Sequence, residues 1–294
     1  MTPIFFDPRQ SVESVDSYSP SAAKPGRFIE AALRRYPHIS ILPFMPISRS
    51  DLLIAHSEQF VADIFSGVKN NGFENRDPRV PESCLWTIGS LTAAVMNAHK
   101  FSSPVCSPTS GFHHACYEES GGFCTFNGLV VAAGKFIAAN PESRVGILDL
   151  DMHAGNGTRD ILKRKPELSH NIICRSSGEH FYGEEKSSEF FSWLQDAIAE
   201  INAFKPSVVI YQAGGDMSKY DPLGGLLTDY EMAQRDRIVF SKIRTPMAWN
   251  LAGGYQTITD DRDPVINIHM RTLDISTGAP ERILCIPSDT TATS

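Results

Sequence analysis

The strongest constraint on this 294-residue chain is an alternation along its middle. Short apolar runs break off in polar or glycine-rich sequence, and each is followed by a helix-length amphipathic stretch. Four runs read as strands: residues 144–151 (RVGILDLD), 172–174, 207–212 (SVVIYQ) and 246–251 (PMAWNL). Around them, residues 82–100, 126–140, 157–165, 188–204 and 229–244 carry apolar side chains at helical spacing. Within 188–204, Phe190, Trp193, Leu194, Ala197, Ile198 and Ile201 share one face, which makes those aromatics core. Thr228 lies three residues before Glu231, the spacing of a capping box, so the last of these helices starts at Asp229 and pins the loop before it. Repeated strand, loop and helix predicts an α/β fold. Open parallel sheets of that kind bind ligands at the carboxyl ends of their strands.

Composition narrows the function classes. Apolar residues make up 41% and charged residues 21%, the balance of an ordinary folded protein, and no internal repeat or low-complexity linker interrupts it. The longest apolar runs, such as residues 128–133, fall far short of a bilayer span, and the N-terminus lacks the basic start and apolar core of a signal peptide. A cytoplasmic protein with no membrane partner is expected. The six cysteines (Cys84, Cys106, Cys116, Cys124, Cys174, Cys285) have no CxxC spacing and sit mostly in apolar segments, as buried thiols in a reducing compartment would. A net charge of −7 with no basic stripe argues against a nucleic-acid partner and suits a cationic one.

The chemistry-bearing residues gather at the strand ends. DLDMHAGNGT (149–158) places Asp149, Asp151 and His153 at alternate positions, and period two puts them on one face of a strand. Two buried carboxylates beside a histidine need a cation to neutralise them; otherwise the segment is a solvated strand end. A second run, SVVIYQAGGD, ends in Asp216 and could deliver a third ligand. Two carboxylates and an imidazole suit zinc, with iron(II) or another first-row metal also fitting. Upstream, SGFHHA sets His113 beside His114; the pair reads either as surface histidines or as acid and base next to the metal. LAGGY ends in Tyr255, either a packed turn aromatic or a hydrogen-bond donor to an oxyanion.

In order along the chain, SGFHHA, GGFCTFNG (121–128), DLDMHAGNGT, QAGGDMSKYDPLGGLLT (212–228) and LAGGY resemble the signature segments of the histone deacetylase and acetylpolyamine amidohydrolase superfamily. The likeness is strong over about residues 100–260. AKPGRFIEAAL (23–33) and LLIAHSEQFV (52–61) extend it towards the N-terminus. The resemblance implies a three-layer arginase/deacetylase-like fold, a mostly parallel sheet of about eight strands between helical layers. One catalytic domain over residues 1–281 with a polar tail at 282–294 follows. It also implies Asp151, His153 and Asp216 as ligands to one Zn2+, His113 and His114 as the tandem histidines, and Asp149 and Asn156 as the groups that orient them. Tyr255 becomes the oxyanion donor, and Gly122, Phe123 and Tyr182 line the acyl-lysine channel. The activity implied is hydrolysis of an N-acyl amine, acetyl-lysine or an acetylpolyamine, to a free amine and a short carboxylate. His114 takes the proton of the attacking water and returns it to the departing amine.

Three positions depart from the family pattern. Ala154 stands where a second histidine usually follows the ligand. Arg175 falls where a serine of the family's K+ site is expected, so that a guanidinium could replace that cation. Met217 and Ser218 follow Asp216 in place of the usual tail, a change expected to reshape the pocket mouth. The rival readings are a binuclear manganese hydrolase of the arginase type, which requires more carboxylates, a non-catalytic acyl-lysine or metal-binding scaffold, and a cysteine hydrolase using Cys124 or Cys116, neither of which sits in a glycine-framed nucleophile turn.

Overall fold

The computed structural model describes residues 2–183, 187–259 and 262–278; the end of the expected domain at 281, the polar tail and Cys285 lie outside them. Seven strands, β1 (Ile4–Phe5), β2 (Ile41–Leu42), β3 (Val105–Ser107), β4 (Val145–Asp149), β5 (Ile172–Ser176), β6 (Val208–Gln212) and β7 (Met247–Asn250), form one sheet in the order β2-β1-β3-β7-β6-β4-β5. Every pairing is parallel. The α/β class and the parallel sheet are as expected, with seven strands among the described residues; past β7 the chain enters a loop and then a helix.

The helices are α1 (Lys24–Arg35), α2 (Glu58–Phe65), α3 (Arg79–Asn97), α4 (Gly128–Ala139), α5 (Asn156–Arg164), α6 (Pro166–Ser169), α7 (Gly178–Phe181), α8 (Ser187–Phe204), α9 (Asp229–Lys242) and α10 (Pro264–Thr277). They cover both sheet faces, because the central strands are apolar on both sides. Val145, Ile147, Val208, Ile210 and Ala248 face a core with Phe60, Ile88, Leu91, Leu129 and Val130, from α2, α3 and α4. Leu148, Val209, Tyr211 and Trp249 face the opposite core with Phe28, Phe190, Leu194, Val239 and Leu273, from α1, α8, α9 and α10. No helix among the described residues is long and apolar enough to cross a membrane.

The same alternation carries polar side chains to the carboxyl ends of three neighbouring strands. Asp149 of β4 pairs with Gln212 of β6, and Gln212 with Asn250 of β7. Gln212 Nε2 donates to Asp149 Oδ1 at 2.9 Å, and Asn250 Nδ2 to Gln212 Oε1 at 3.4 Å. This buried ladder fixes one side of the Asp149 carboxylate.

The capping box at α9 forms. Thr228 Oγ1 accepts from Glu231 N at 3.3 Å, and Glu231 Oε2 accepts from Thr228 N at 2.8 Å. Thr228→Ala is expected to cost about 0.5–2 kcal/mol, read as a lower urea midpoint at unchanged slope. A change of slope would mean that more than a helix cap had been removed.

Candidate functional site

Regular strand geometry ends at Asp149. Period two therefore does not place Asp151 and His153, as the sequence pattern implied; the turn beyond the strand does. Asp151 N donates to Asp149 Oδ1 at 3.2 Å, and His153 N to Asp151 Oδ1 at 3.0 Å. Each aspartate thus holds the backbone two residues on. The loop after β6 brings in Asp216, whose Oδ1 accepts from Met152 N at 3.2 Å.

Asp151, His153 and Asp216 converge, each offering a ligand atom within 4.8 Å of the others. Both carboxylates are buried. His153 Nδ1 lies 2.9 Å from Asp216 Oδ2 and 3.2 Å from Asp151 Oδ1. Burial and the adjacent Asp151 carboxylate push Asp216 up to about 7, while the two carboxylates, overcoming burial, raise His153 to about 11. Two buried carboxylates crowded on one imidazole need positive charge between them, and a divalent cation can supply it in place of protons. The mixed nitrogen and oxygen set fits a metal of the zinc type, so the three residues form a candidate metal site. Among the described residues no other such group occurs.

The tandem histidines differ in surroundings. His113 is buried, 3% exposed. Its Nδ1 lies 2.9 Å from Asp149 Oδ2, and its Nε2 lies 3.6 Å from Asp151 Oδ1. Burial opposes its charge, but Asp151 and Asp149 outweigh it and raise the imidazole to about 9. His114 instead lines a cavity of about 470 Å³ together with Gly122, Phe123, His153, Leu223 and Tyr255. Its Nδ1 lies 2.6 Å from Asn156 Oδ1, and burial together with neighbouring His113 lowers it to about 4. Gly122 has φ 53, and a Cβ there would come within 2.4 Å of His114 Cδ2, so only glycine admits the ring. Tyr255 packs against Phe123, with ring centroids 5.3 Å apart, and burial plus Asp151 and Asp216 hold its phenol well above its ordinary pKa.

Some sequence expectations fall elsewhere. Tyr182 is 64% exposed; its ring lies 5.2 Å from that of His153, but it is not among the residues lining the cavity. Arg175, expected beside a K+ site, turns elsewhere. Its Nε donates to Glu200 and its Nη1 to the Cys174 carbonyl, whereas Ser177 Oγ donates to the Asp151 carbonyl at 2.9 Å. Ser177 stands two residues beyond Arg175, where β5 has ended at Ser176 and the turn begins. Met217 and Ser218 are both 0% exposed; their side chains do not line the cavity, where Leu223 lies, but their carbonyls hold the loop that carries it, that of Met217 accepting from Leu226 N and Leu227 N and that of Ser218 from Asp221 N. Cys124 is buried, and burial raises its thiol. Burial, Asp160 and Glu119 raise that of Cys116. Neither suits a nucleophile.

Several structural partners went unread in the sequence. Asp221 Oδ2 accepts from Tyr255 N at 2.7 Å; it stands in the quoted run QAGGDMSKYDPLGGLLT, yet nothing in its spacing marks a partner 34 residues away. Gly253 N donates to Asp151 Oδ2 at 2.9 Å, and a Cβ on Gly253 would come within 2.6 Å of Asp216 Oδ2. Arg235 Nη1 supports the other loop, donating to the Gly214 carbonyl at 2.6 Å.

Known proteins share the fold and stretches of the sequence. The structure resembles that of an acetylpolyamine aminohydrolase from Burkholderia pseudomallei with TM-score 0.73 at 17% identity, over 95% of this chain and 99% of that one. It matches the HD domain of HDA15 with TM-score 0.74 at 19% identity, over 95% and 88%. In sequence, a probable deacetylase of Methanothermobacter thermautotrophicus is 27% identical over 260 residues, covering 79% of this chain and 78% of that protein. Acetylpolyamine amidohydrolase 2 of Pseudomonas aeruginosa is 30% identical over 175 residues, 51% of this chain and 50% of that one. The histone deacetylase domain model matches residues 23–185, more than half of the chain, and by that match this protein belongs to the histone deacetylase domain family of deacetylases and amidohydrolases.

Proposed function

We propose that this chain is a single catalytic domain that hydrolyses a linear N-acyl amine, acetyl-lysine or an acetylpolyamine, with one zinc ion held by Asp151, His153 and Asp216. The observation that carries the reading is a convergence. His114, His153 and Tyr255 line one cavity, and the His153 ring lies within the three-residue metal site.

Bound there, zinc would supply Lewis-acid polarisation of the acyl carbonyl and a more acidic water. The chain's own groups divide the remaining work. His114, open to the cavity and with its Nδ1 held by Asn156, accepts the water proton at Nε2 and delivers it to the departing nitrogen. His113, held on Asp149 and away from the cavity, sets the charge beside it. Tyr255 donates its hydroxyl to the oxygen that becomes negative on attack. Gly122 and Phe123 edge the passage for the alkyl chain, and Tyr182 flanks His153. The carbonyls of Asp149 and Asp151 with Ser177 Oγ are oxygen donors suited to K+.

The test is a panel of acetyl-lysine peptides, acetylpolyamines and small amides, each with acetyl and longer acyl groups, assayed for carboxylate release. Activity is expected to disappear on chelation and to return with zinc, and a hydroxamate is expected to bind. Fully metallated protein that releases no carboxylate from any member and binds no hydroxamate would sink the proposal.

A further inference from the structure

Helix α1 begins at Lys24, inside the run AKPGRFIEAAL, and this lysine is 1% exposed. A buried ammonium is costly to keep. Its Nζ donates to the carbonyl of Ala252 at 2.6 Å, and Ser110 Oγ donates to the same oxygen at 2.9 Å. Ala252 is left-handed, with φ 57, a conformation that a residue with a Cβ adopts only under constraint. Two donors on one carbonyl supply that constraint.

The other side of the same peptide group points at the metal site. A peptide unit is planar, and its C=O and N–H point opposite ways. The carbonyl of Ala252 takes Lys24, while the N–H of Gly253, in that same plane, donates to Asp151 Oδ2 at 2.9 Å. One rigid dipole therefore connects a buried cation to a candidate ligand carboxylate. The cation at the oxygen end polarises the group and strengthens its N–H as a donor. Two residues on, Tyr255 N is tied to Asp221, and the Lys24 ammonium lies 6.0 Å from the Tyr255 ring centroid. Helix α1 also grips the far end of this loop, where Arg27 Nε donates to Asp263 Oδ2 at 2.9 Å. Neither Asp221 nor Ser110 can substitute for the cation, since one bears negative charge and the other none.

From this geometry we infer that Lys24 is a positioning residue. Through the 252–253 peptide it orients the Asp151 carboxylate towards the cation, and it holds the turn that presents Tyr255. The inference rests on the proposed roles of Asp151 and Tyr255, and its two consequences are measured separately. Groups that orient metal ligands typically contribute about 10–100-fold in metal affinity.

The experiment compares wild type, Lys24→Met and Lys24→Arg in the full chain. Zinc affinity is measured by competition with a chromophoric chelator. At saturating zinc, kcat and KM are measured on an acetyl-lysine peptide or N-acetylputrescine, whichever turns over faster. Lys24→Met is expected to weaken zinc binding about tenfold or more and to lower kcat by a similar factor, with KM within about twofold. Lys24→Arg, which keeps charge and donor, is expected to recover most of both. Should Lys24→Met fail to fold, Ser110→Ala removes the second donor to the same carbonyl and is expected to lower zinc affinity by a smaller factor. Zinc affinity unchanged in folded Lys24→Met, equal impairment of the Met and Arg variants, or no effect of Ser110→Ala where Lys24→Met cannot be made would each overturn the inference. If no substrate is turned over by wild type, the functional reading fails, whereas the zinc titration still tests Lys24.

Discussion

Tyr255→Phe is expected to lower kcat about 100-fold or more while zinc content and KM stay near those of the wild type. Removing one preorganised oxyanion donor typically costs about 2.7–4 kcal/mol of transition-state stabilisation. The ring is held without its hydroxyl, by packing on Phe123 and by the Tyr255 N–H bond to Asp221, so the variant removes the donor and leaves the wall. The phenol also stays protonated, because burial and the nearby Asp151 and Asp216 oppose its ionisation, as a donor must. Steady-state kinetics beside metal analysis decide the matter. Loss of zinc in parallel with activity would make Tyr255 structural, and a fall of less than about tenfold would remove it from the oxyanion role.

His114→Gln should reduce kcat by about 10²–10⁴-fold, the usual worth of a positioned acid or base, with zinc content unchanged. The equivalent change at His113 tests the division of labour. His113 is buried against Asp149 and does not line the cavity, so His113→Gln is expected to act through the field and packing around its neighbour, with a smaller loss. The distinction is also chemical. The partner of His113 is a carboxylate and that of His114 is a neutral amide, so only the second imidazole is left without a strong anchor for a proton. If His113→Gln proves the more damaging of the two at full zinc occupancy, the roles are reversed.

The fold was legible wherever apolar periodicity was long enough to register. The four strand runs became β4, β5, β6 and β7, with boundaries shifted by one or two residues. The five helical stretches became α3, α4, α5, α8 and α9. Two-residue strands such as β1 and β2 contain a single alternation and carry no pattern to read. The Thr228 cap was readable because both partners lie within one turn of helix. Arg175 was assigned the place because a local string does not show where the strand stops: β5 ends at Ser176, and the hydroxyl that meets the Asp151 carbonyl, Ser177, comes from the turn beyond it.

For the site, the short strings held the chemical inventory: two histidines side by side, three aspartates at loop starts, and a tyrosine after glycines. Residue type and order along the chain determined that much, because metal ligation and proton transfer need those functional groups whatever the backbone does. The resemblance supplied the pairing of these groups as an expectation, and the contacts themselves exist only in the tertiary structure. Asp149 belongs to His113, Gln212 and the strand ladder; Asp151, His153 and Asp216 close on one point from two loops; His114 opens to a cavity and His113 does not. Lys24 meets the 252–253 peptide across 228 residues of chain. Contacts of that length leave no local periodicity, since they depend on how a sheet in the order β2-β1-β3-β7-β6-β4-β5 brings distant strand ends together.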